Sequence, residues 1–204
     1  MGALRRGIVG VDEAGRGPLA GPVAVGVVRI SHISPVKRLF PQVKDSKQLP
    51  EKRREEWFKK IQKLKKEGHL TYGVALVSAS HIDTRGIVDA IRKGMKKALL
   101  MASARSTDAV KLDGGLRAPE VFKNQKAYTK GDATYLEIAL ASVCAKVLRD
   151  RRMCTYAKLY PKYGFEVHKG YGTALHITAI KKYGLSKLHR KTFCKPNKNK
   201  RIDK

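Results

Sequence analysis

Two acids, Asp12 and Glu13, stand side by side in the stretch VDEAGRGPLAGP, at the end of the apolar run GIVGVD. A glycine–arginine–glycine step, Gly15-Arg16-Gly17, follows them. Two more acids occupy comparable places. Asp113 closes the run DAVKLDG, and Asp132 of KGD lies just before ATYLEIALASVCAKVLRDRRM, the clearest helical pattern in the chain. Carboxylates gathered at strand ends and at a helix start are what an oxygen-ligand site for Mg²⁺ or Mn²⁺ requires. Any one of these acids alone is better explained as a helix cap or as a partner for Lys or Arg. Acids are scarce, however, at 17 against 44 Lys plus Arg, so four of them in such places put the metal site on a level with the simpler reading. Neighbours on a regular strand point to opposite faces. Asp12 and Glu13 therefore serve one ion only if the strand ends between them, or if Glu13 offers its main-chain carbonyl or reaches in from the turn.

The glycine-rich stretch also has two readings. Glycines there make a tight turn between strands through positive φ, or they let main-chain N–H groups approach a phosphate or sugar, with Arg16 adding charge.

Elements must hold these residues in place. Residues 7–12, 22–30, 69–79 and 108–114 read as strands. Residues 50–66 read as a helix with Pro50 at its first position and Trp57, Ile61 and Leu64 on one face. Residues 86–102 carry Ile87, Ile91, Met95 and Leu99 at helical spacing. Residues 133–153 form the strongest helix, with Thr134 and Glu137 as a capping box and an Ala-rich face suited to packing on a sheet. Residues 173–184 form a last helix ended by glycine. Strands mixed with helices predict an α/β domain with a mixed sheet. The pattern divides into a domain over 1–185 and a basic extension over 186–204.

The chain has 204 residues and a formal charge of +27. Such a charge points to nucleic acid as partner, with an anionic membrane surface as the rival. No apolar run reaches spanning length, and the N-terminus lacks a signal-peptide core. Cys144, Cys154 and Cys194 lie far apart, which argues for a reducing, cytoplasmic setting and against a thiolate zinc site.

GVDEAGRGPLAGPV, DSKQL, KLDGG, KGD, ALASVCAKVLRDRRM, HKGYGT and LHRKTF occur in this order. Over roughly residues 7–193 the chain thereby resembles the bacterial form of type 2 ribonuclease H, ribonuclease HII. The resemblance implies a ribonuclease H-like fold: a mixed, mainly five-stranded sheet flanked by helices, with a C-terminal helical segment and a basic tail. It implies endonucleolytic cleavage of RNA in RNA–DNA hybrids and 5′ of single ribonucleotides embedded in duplex DNA, in a monomer. Asp12, Glu13, Asp113 and Asp132 become the catalytic and metal-binding acids. Gly15, Arg16 and Gly17 would read the ribose 2′-hydroxyl and neighbouring phosphates. Tyr171 would stack on the sugar of the following deoxynucleotide, and Lys47 and Lys169 would contact phosphates. Two divalent ions, Mn²⁺ or Mg²⁺, about 3.5–4 Å apart would activate water and offset charge, leaving 3′-hydroxyl and 5′-phosphate ends.

Two other classes compete: a nuclease or strand-transferase of the same broad fold that does not select RNA, and a non-enzymatic nucleic-acid binder. The acids count against the binder, and GRG with KGYGT counts against the unselective nuclease. His168, His176 and His189 read as structural, with His168 the best placed of them to touch substrate. Asp150 reads as an ion-pair partner among Arg149, Arg151 and Arg152 or a brace for a neighbouring loop. Trp57 and Cys144 read as core.

Overall fold

A computed structural model describes residues 6–41 and 49–194. Five strands form one mixed sheet in the order β3-β2-β1-β4-β5. They are β1 (Ile8–Ala14), β2 (Val23–Ile30), β3 (Leu70–Val77), β4 (Ala109–Asp113) and β5 (Gln125–Tyr128). The first three pair antiparallel, while β4 runs parallel to β1 and β5 parallel to β4. The mixed sheet is therefore as expected.

Helices cover both faces. On one, α3 (Ala79–Met101) packs Ile82, Ile91, Met95 and Leu99 against Val9, Val11, Val25 and Val27. On the other, α5 (Leu136–Leu159) and α2 (Glu51–Lys66) pack Leu140, Cys144, Trp57 and Phe58 against Ala24, Val28 and Val74. Strand β2 lies between both layers, and all eight of its residues are buried. Trp57 and Cys144 are core residues, as read from the sequence. Helix α5 lies close to the sheet, with Ala141 and Ala145 set against Gly26 of β2. A Cβ on Gly10 would sit 2.1 Å from the Glu137 carbonyl, and one on Gly26 2.3 Å from that of Ala141. Any side chain at either position would push the helix away.

Three boundaries differ from expectation. The strongest helix does not begin with a Thr134–Glu137 capping box. A separate turn, α4 (Gly131–Thr134), precedes it, and extended Tyr135 stands between the two. Thr134 Oγ1 turns back to the Lys130 carbonyl, and the Glu137 carboxylate is drawn to Lys111 Nζ on β4 at 2.7 Å, so neither side chain is left for capping. At its other end α5 runs to Leu159, since nothing in its last turns breaks a helix before Pro161. Helix α3 starts at Ala79, with the Ser78 hydroxyl accepting the His81 N–H, and bends at Gly86, where φ is 80°. The sequence pattern marked only the portion beyond that bend.

Four short elements lack a sequence signal: α1 (Ile33–Leu39), β5, a 3₁₀ turn (Pro161–Tyr163) and α6 (Phe165–His168). Strand β5, with the sequence QKAY, is a polar edge held by main-chain pairing to β4. The last helix, α7 (Ala174–Tyr183), lies where expected. Among the described residues no helix is long and apolar enough to cross a membrane.

Residues 186–194 are built into this body. Gly21 N–H donates to the Leu188 carbonyl and Arg190 N–H to that of Leu19.

Candidate active site

The site begins with a register. Asp108, at the entry to β4, accepts the Gly7 N–H at 2.7 Å and the Arg29 Nε–H at 2.7 Å, while Ala109 N–H donates to the Gly7 carbonyl. Burial raises the Asp108 pKa, but the hydrogen bonds from Arg29, Arg105 and Gly7 together with the Arg29 charge hold it below the usual range. This anchor aligns β1 with β4 so that Val11 pairs with Leu112. Asp12 and Asp113, one residue further, therefore stand side by side at the carboxyl ends of neighbouring parallel strands, whose spacing is about 4.8 Å. Both occupy the α5 face, because Val11 and Leu112 occupy the other.

Strand β1 does not end between Asp12 and Glu13. It continues to Ala14, with Glu13 opposite Val25 on β2, so the two side chains leave the strand in opposite directions. Asp12, 1% exposed, accepts the Glu13 N–H at 2.8 Å, and Glu13 Oε1 meets Arg16 Nη1 at 3.2 Å. Asp113 Oδ1 accepts the Gly131 N–H at 2.7 Å and so holds the first residue of α4, whose second residue is the buried Asp132. The tertiary structure thus brings Asp113 to the turn that carries Asp132, 19 residues on in the chain.

The glycines beyond the acids do different work. Gly15 is buried with φ 86°, and a Cβ there would lie 2.0 Å from Arg149 Nε. Its lack of a side chain is required inside the protein. Gly17 is exposed, and a Cβ there would meet nothing within 4 Å. Two buried arginines hold the loop from beneath. Arg190 donates to the carbonyls of Gly15 (2.6 Å), Arg16 (2.8 Å) and Gly21 (3.0 Å). Arg149 donates to those of Pro22 (2.9 Å) and Ala20 (3.3 Å). Neither role was visible from the sequence; the only signal for Arg190 was its place in LHRKTF.

Tyr171 is brought to the same loop, because the Gly170 carbonyl accepts the N–H groups of Leu19 and Ala20. Its ring, 42% exposed, lies 5.7 Å from Lys146 Nζ and 5.8 Å from the Arg149 guanidinium. Glu13, Arg16, Gly17, Arg54, Lys146 and Tyr171 are among the walls of a cleft of about 370 Å³. A larger groove of about 900 Å³ follows α3, but its acids, Asp89 and Glu120, come from a helix and a loop rather than from strand ends.

Lys169 and the three histidines have partners of their own. The Lys169 ammonium bonds the Glu166 carbonyl and lies 3.4 Å from Cys154 Sγ and 4.0 Å from Glu51, and Lys169 is not among the residues lining the cleft. Lys47 lies outside the described residues. His168 is buried, its Nε2–H donating to the Tyr163 carbonyl (2.7 Å) and its Nδ1 accepting from Gly170 (3.1 Å), so it is the floor of a loop rather than a substrate contact. Ser186 N–H donates to His189 Nδ1, His189 Nε2 lies 3.1 Å from His176 Nε2, and His176 Nδ1 lies 2.8 Å from the Tyr171 carbonyl. Read as donors and acceptors, this chain needs both imidazoles neutral. Burial, reinforced by the neighbouring histidines, lowers both, His189 to about 4. Asp150 does form ion pairs, chiefly with Lys146 (2.9 Å) and more loosely with Arg54 and Arg149 (3.9 Å each), while Arg151 turns to Glu55.

Among the described residues no three acidic, histidine or cysteine side chains close on one point as a finished metal cage. What the fold supplies is donor chemistry and backbone position: hard carboxylate oxygens on adjoining strand ends and on a turn bonded to one of them. That donor set fits Mg²⁺ or Mn²⁺ and suits soft metals poorly.

A mixed five-stranded sheet carrying acids at the ends of its parallel strands places the chain among ribonuclease H-like nucleases. Archaeoglobus fulgidus RNase HII, solved in a complex with PCNA, superposes with a TM-score of 0.76 at 25% identity, over 94% of this chain and 97% of that one. Bst-RNase HIII, solved in complex with Mn²⁺, shares the fold with a TM-score of 0.70 at 17% identity, over 93% of this chain and 67% of that one. In sequence, ribonuclease HII of Endomicrobium trichonymphae is 45% identical over 190 residues, 93% of this chain and 86% of the relative. Residues 9–196 match the family described as Ribonuclease HII, and the chain belongs to that family. It is a ribonuclease H, an endoribonuclease acting on RNA–DNA hybrids.

Proposed function

We propose that the chain cuts on the 5′ side of ribonucleotides, in RNA–DNA hybrids and at single ribonucleotides embedded in duplex DNA, leaving 3′-hydroxyl and 5′-phosphate ends. Removal of misincorporated ribonucleotides and of primer RNA in the cytoplasm follows from that specificity. The observation that carries the reading is the β1–β4 register, which sets Asp12 beside Asp113 and ties Asp113 to the turn of Asp132, next to the cleft of the glycine loop and Tyr171.

Asp12, Asp113 and Asp132 would supply side-chain oxygens, and Glu13 the fourth acidic group, to two divalent ions, Mn²⁺ or Mg²⁺. Bound ions of this kind supply charge neutralisation and a water of lowered pKa. The chain's own part is placement. The exposed Arg16–Gly17 backbone faces the sugar carrying the 2′-hydroxyl and its phosphates. Tyr171 offers an aromatic face to the next sugar, backed by the cations of Arg149 and Lys146. Placement to within a fraction of an ångström is what makes in-line attack fast. We further propose that the chain works as a monomer.

The test is a DNA duplex holding one ribonucleotide, incubated with the protein and Mg²⁺ or Mn²⁺. A single cut 5′ of the ribonucleotide, absent with EDTA, is expected. Equal cutting of all-DNA duplex would reveal an unselective nuclease, and binding without cutting a non-enzymatic role.

A further inference from the structure

Arg190 takes no part in the chemistry just described, yet its guanidinium is fully buried and, among the described residues, every hydrogen bond it makes goes to a main-chain carbonyl. Burial, and next the charge of Arg149, push its pKa down to about 10, so at neutral pH it is still a cation beside another buried cation. Two adjacent buried guanidiniums held by carbonyls are a costly way to stabilise a turn. The geometry of the loop shows what the arrangement does. In a trans peptide the C=O and the following N–H point in opposite directions, and the described chain has no cis bond. Arg190 holds the carbonyls of Gly15 and Arg16 inward. The N–H groups on the same two peptides, those of Arg16 and Gly17, must therefore point away from Arg190, on the side where both residues are exposed.

We propose that Arg190 is a positioning residue for substrate: it turns the Arg16 and Gly17 amides outward as a fixed pair of donors for oxygens of the ribonucleotide, and with Arg149 it sets positive charge behind them. The inference rests on the proposed function of the cleft. Its position is fixed partly by the loop, through Arg190 N–H to the Leu19 carbonyl, and partly from outside it. Asp83, near the start of α3, accepts the N–H groups of Lys191 and Thr192 and the Thr192 hydroxyl, and so fixes the segment that carries Arg190. Paired backbone donors over a positive base suit an oxygen-rich anionic ligand. The same segment carries His189, whose link through His176 ends on the Tyr171 carbonyl. Residues 189 and 190 thus brace the two sides of the cleft from one short stretch of chain.

The experiment is single-turnover cleavage of the one-ribonucleotide duplex by the full chain and by Arg190→Lys and Arg190→Gln. Under enzyme excess the plateau rate reports positioning, whereas a smaller folded fraction only raises the concentration needed to reach it. Both variants are expected to lose at least tenfold in plateau rate, with half-saturation within about threefold of the parent. Lysine keeps the charge but cannot span three carbonyls, so parental rates in Arg190→Lys would overturn the proposal. An unchanged plateau in both variants, or a shift in half-saturation alone, would overturn it equally. If neither variant folds by circular dichroism, the parent decides: the Arg16 and Gly17 amide resonances must shift when the duplex is titrated in without metal, and two unmoved resonances overturn the proposal. A parent that binds the duplex but never cuts it refutes the proposed function instead.

Discussion

Asp132 and Asp150 are both buried acids close together in sequence, and what surrounds each decides its role. Asp132 sits in a four-residue turn whose first N–H is held by Asp113. Asp150 lies 14 residues into α5, about 21 Å along the axis from its start, with the Lys146 ammonium at 2.9 Å. One metal pair cannot use both. Asp132→Asn is expected to bind duplex as the parent does and to lose at least a hundredfold in Mg²⁺-dependent cleavage. Asp150→Asn is expected to cleave within about threefold of the parent and to lose about 1 kcal/mol in urea unfolding, since Lys146, its nearest partner, is partly solvated. A dead Asp150→Asn beside an active Asp132→Asn would reverse the assignment. Gly15 and Gly17 make a similar contrast, identical in type and two residues apart. One must lack a side chain because Arg149 lies against it, while the other faces open space.

At the scale of elements, the α6–α7 region and the segment after it are joined by imidazoles rather than by a large apolar core. His168, His176 and His189 pack against one another and against Phe165, with ring centroids of His168 and His176 4.3 Å apart. His189 stays neutral in the folded protein to about pH 4 but takes up a proton near 6.5 when unfolded. Because the folded pKa is the lower one, the unfolded state binds more protons between these values. The stabilisation is complete above about 6.5 and is lost as pH falls toward 4, to the extent of about 3 kcal/mol. Unfolding of the parent and of His189→Gln, followed in urea from pH 7 to pH 4, is expected to show a steeper loss in the parent. Parallel curves would mean that His189 titrates alike in both states.

At the scale of the whole molecule, a charge of +27 dictates salt-sensitive binding, each phosphate contact adding about −0.9 to the slope of log affinity against log salt. Residues 195–204 carry five of the basic side chains, and 186–194 are hydrogen-bonded into the body. Ending the chain at Cys194 is therefore expected to lower the slope modestly and leave the cut position unmoved. Ending it before Ser186 also removes Arg190 and His189, and is expected to abolish selective cutting. Filter binding at several salt concentrations and gel mapping of the product ends check both. A shifted cut in the shorter truncation would mean that the last residues do more than add charge. The types and order of residues were enough to determine the mixed sheet, the acids at strand ends and the family motifs, because periodicity and turn chemistry are local. Only the tertiary structure decided which glycine faces Arg149, that β1 runs on through Glu13, that Lys169 turns inward, and that Arg190 grips the glycine loop. Each of these depends on a contact between segments far apart in sequence, and a buried arginine that bonds only carbonyls leaves no periodic or charge-paired trace in the chain.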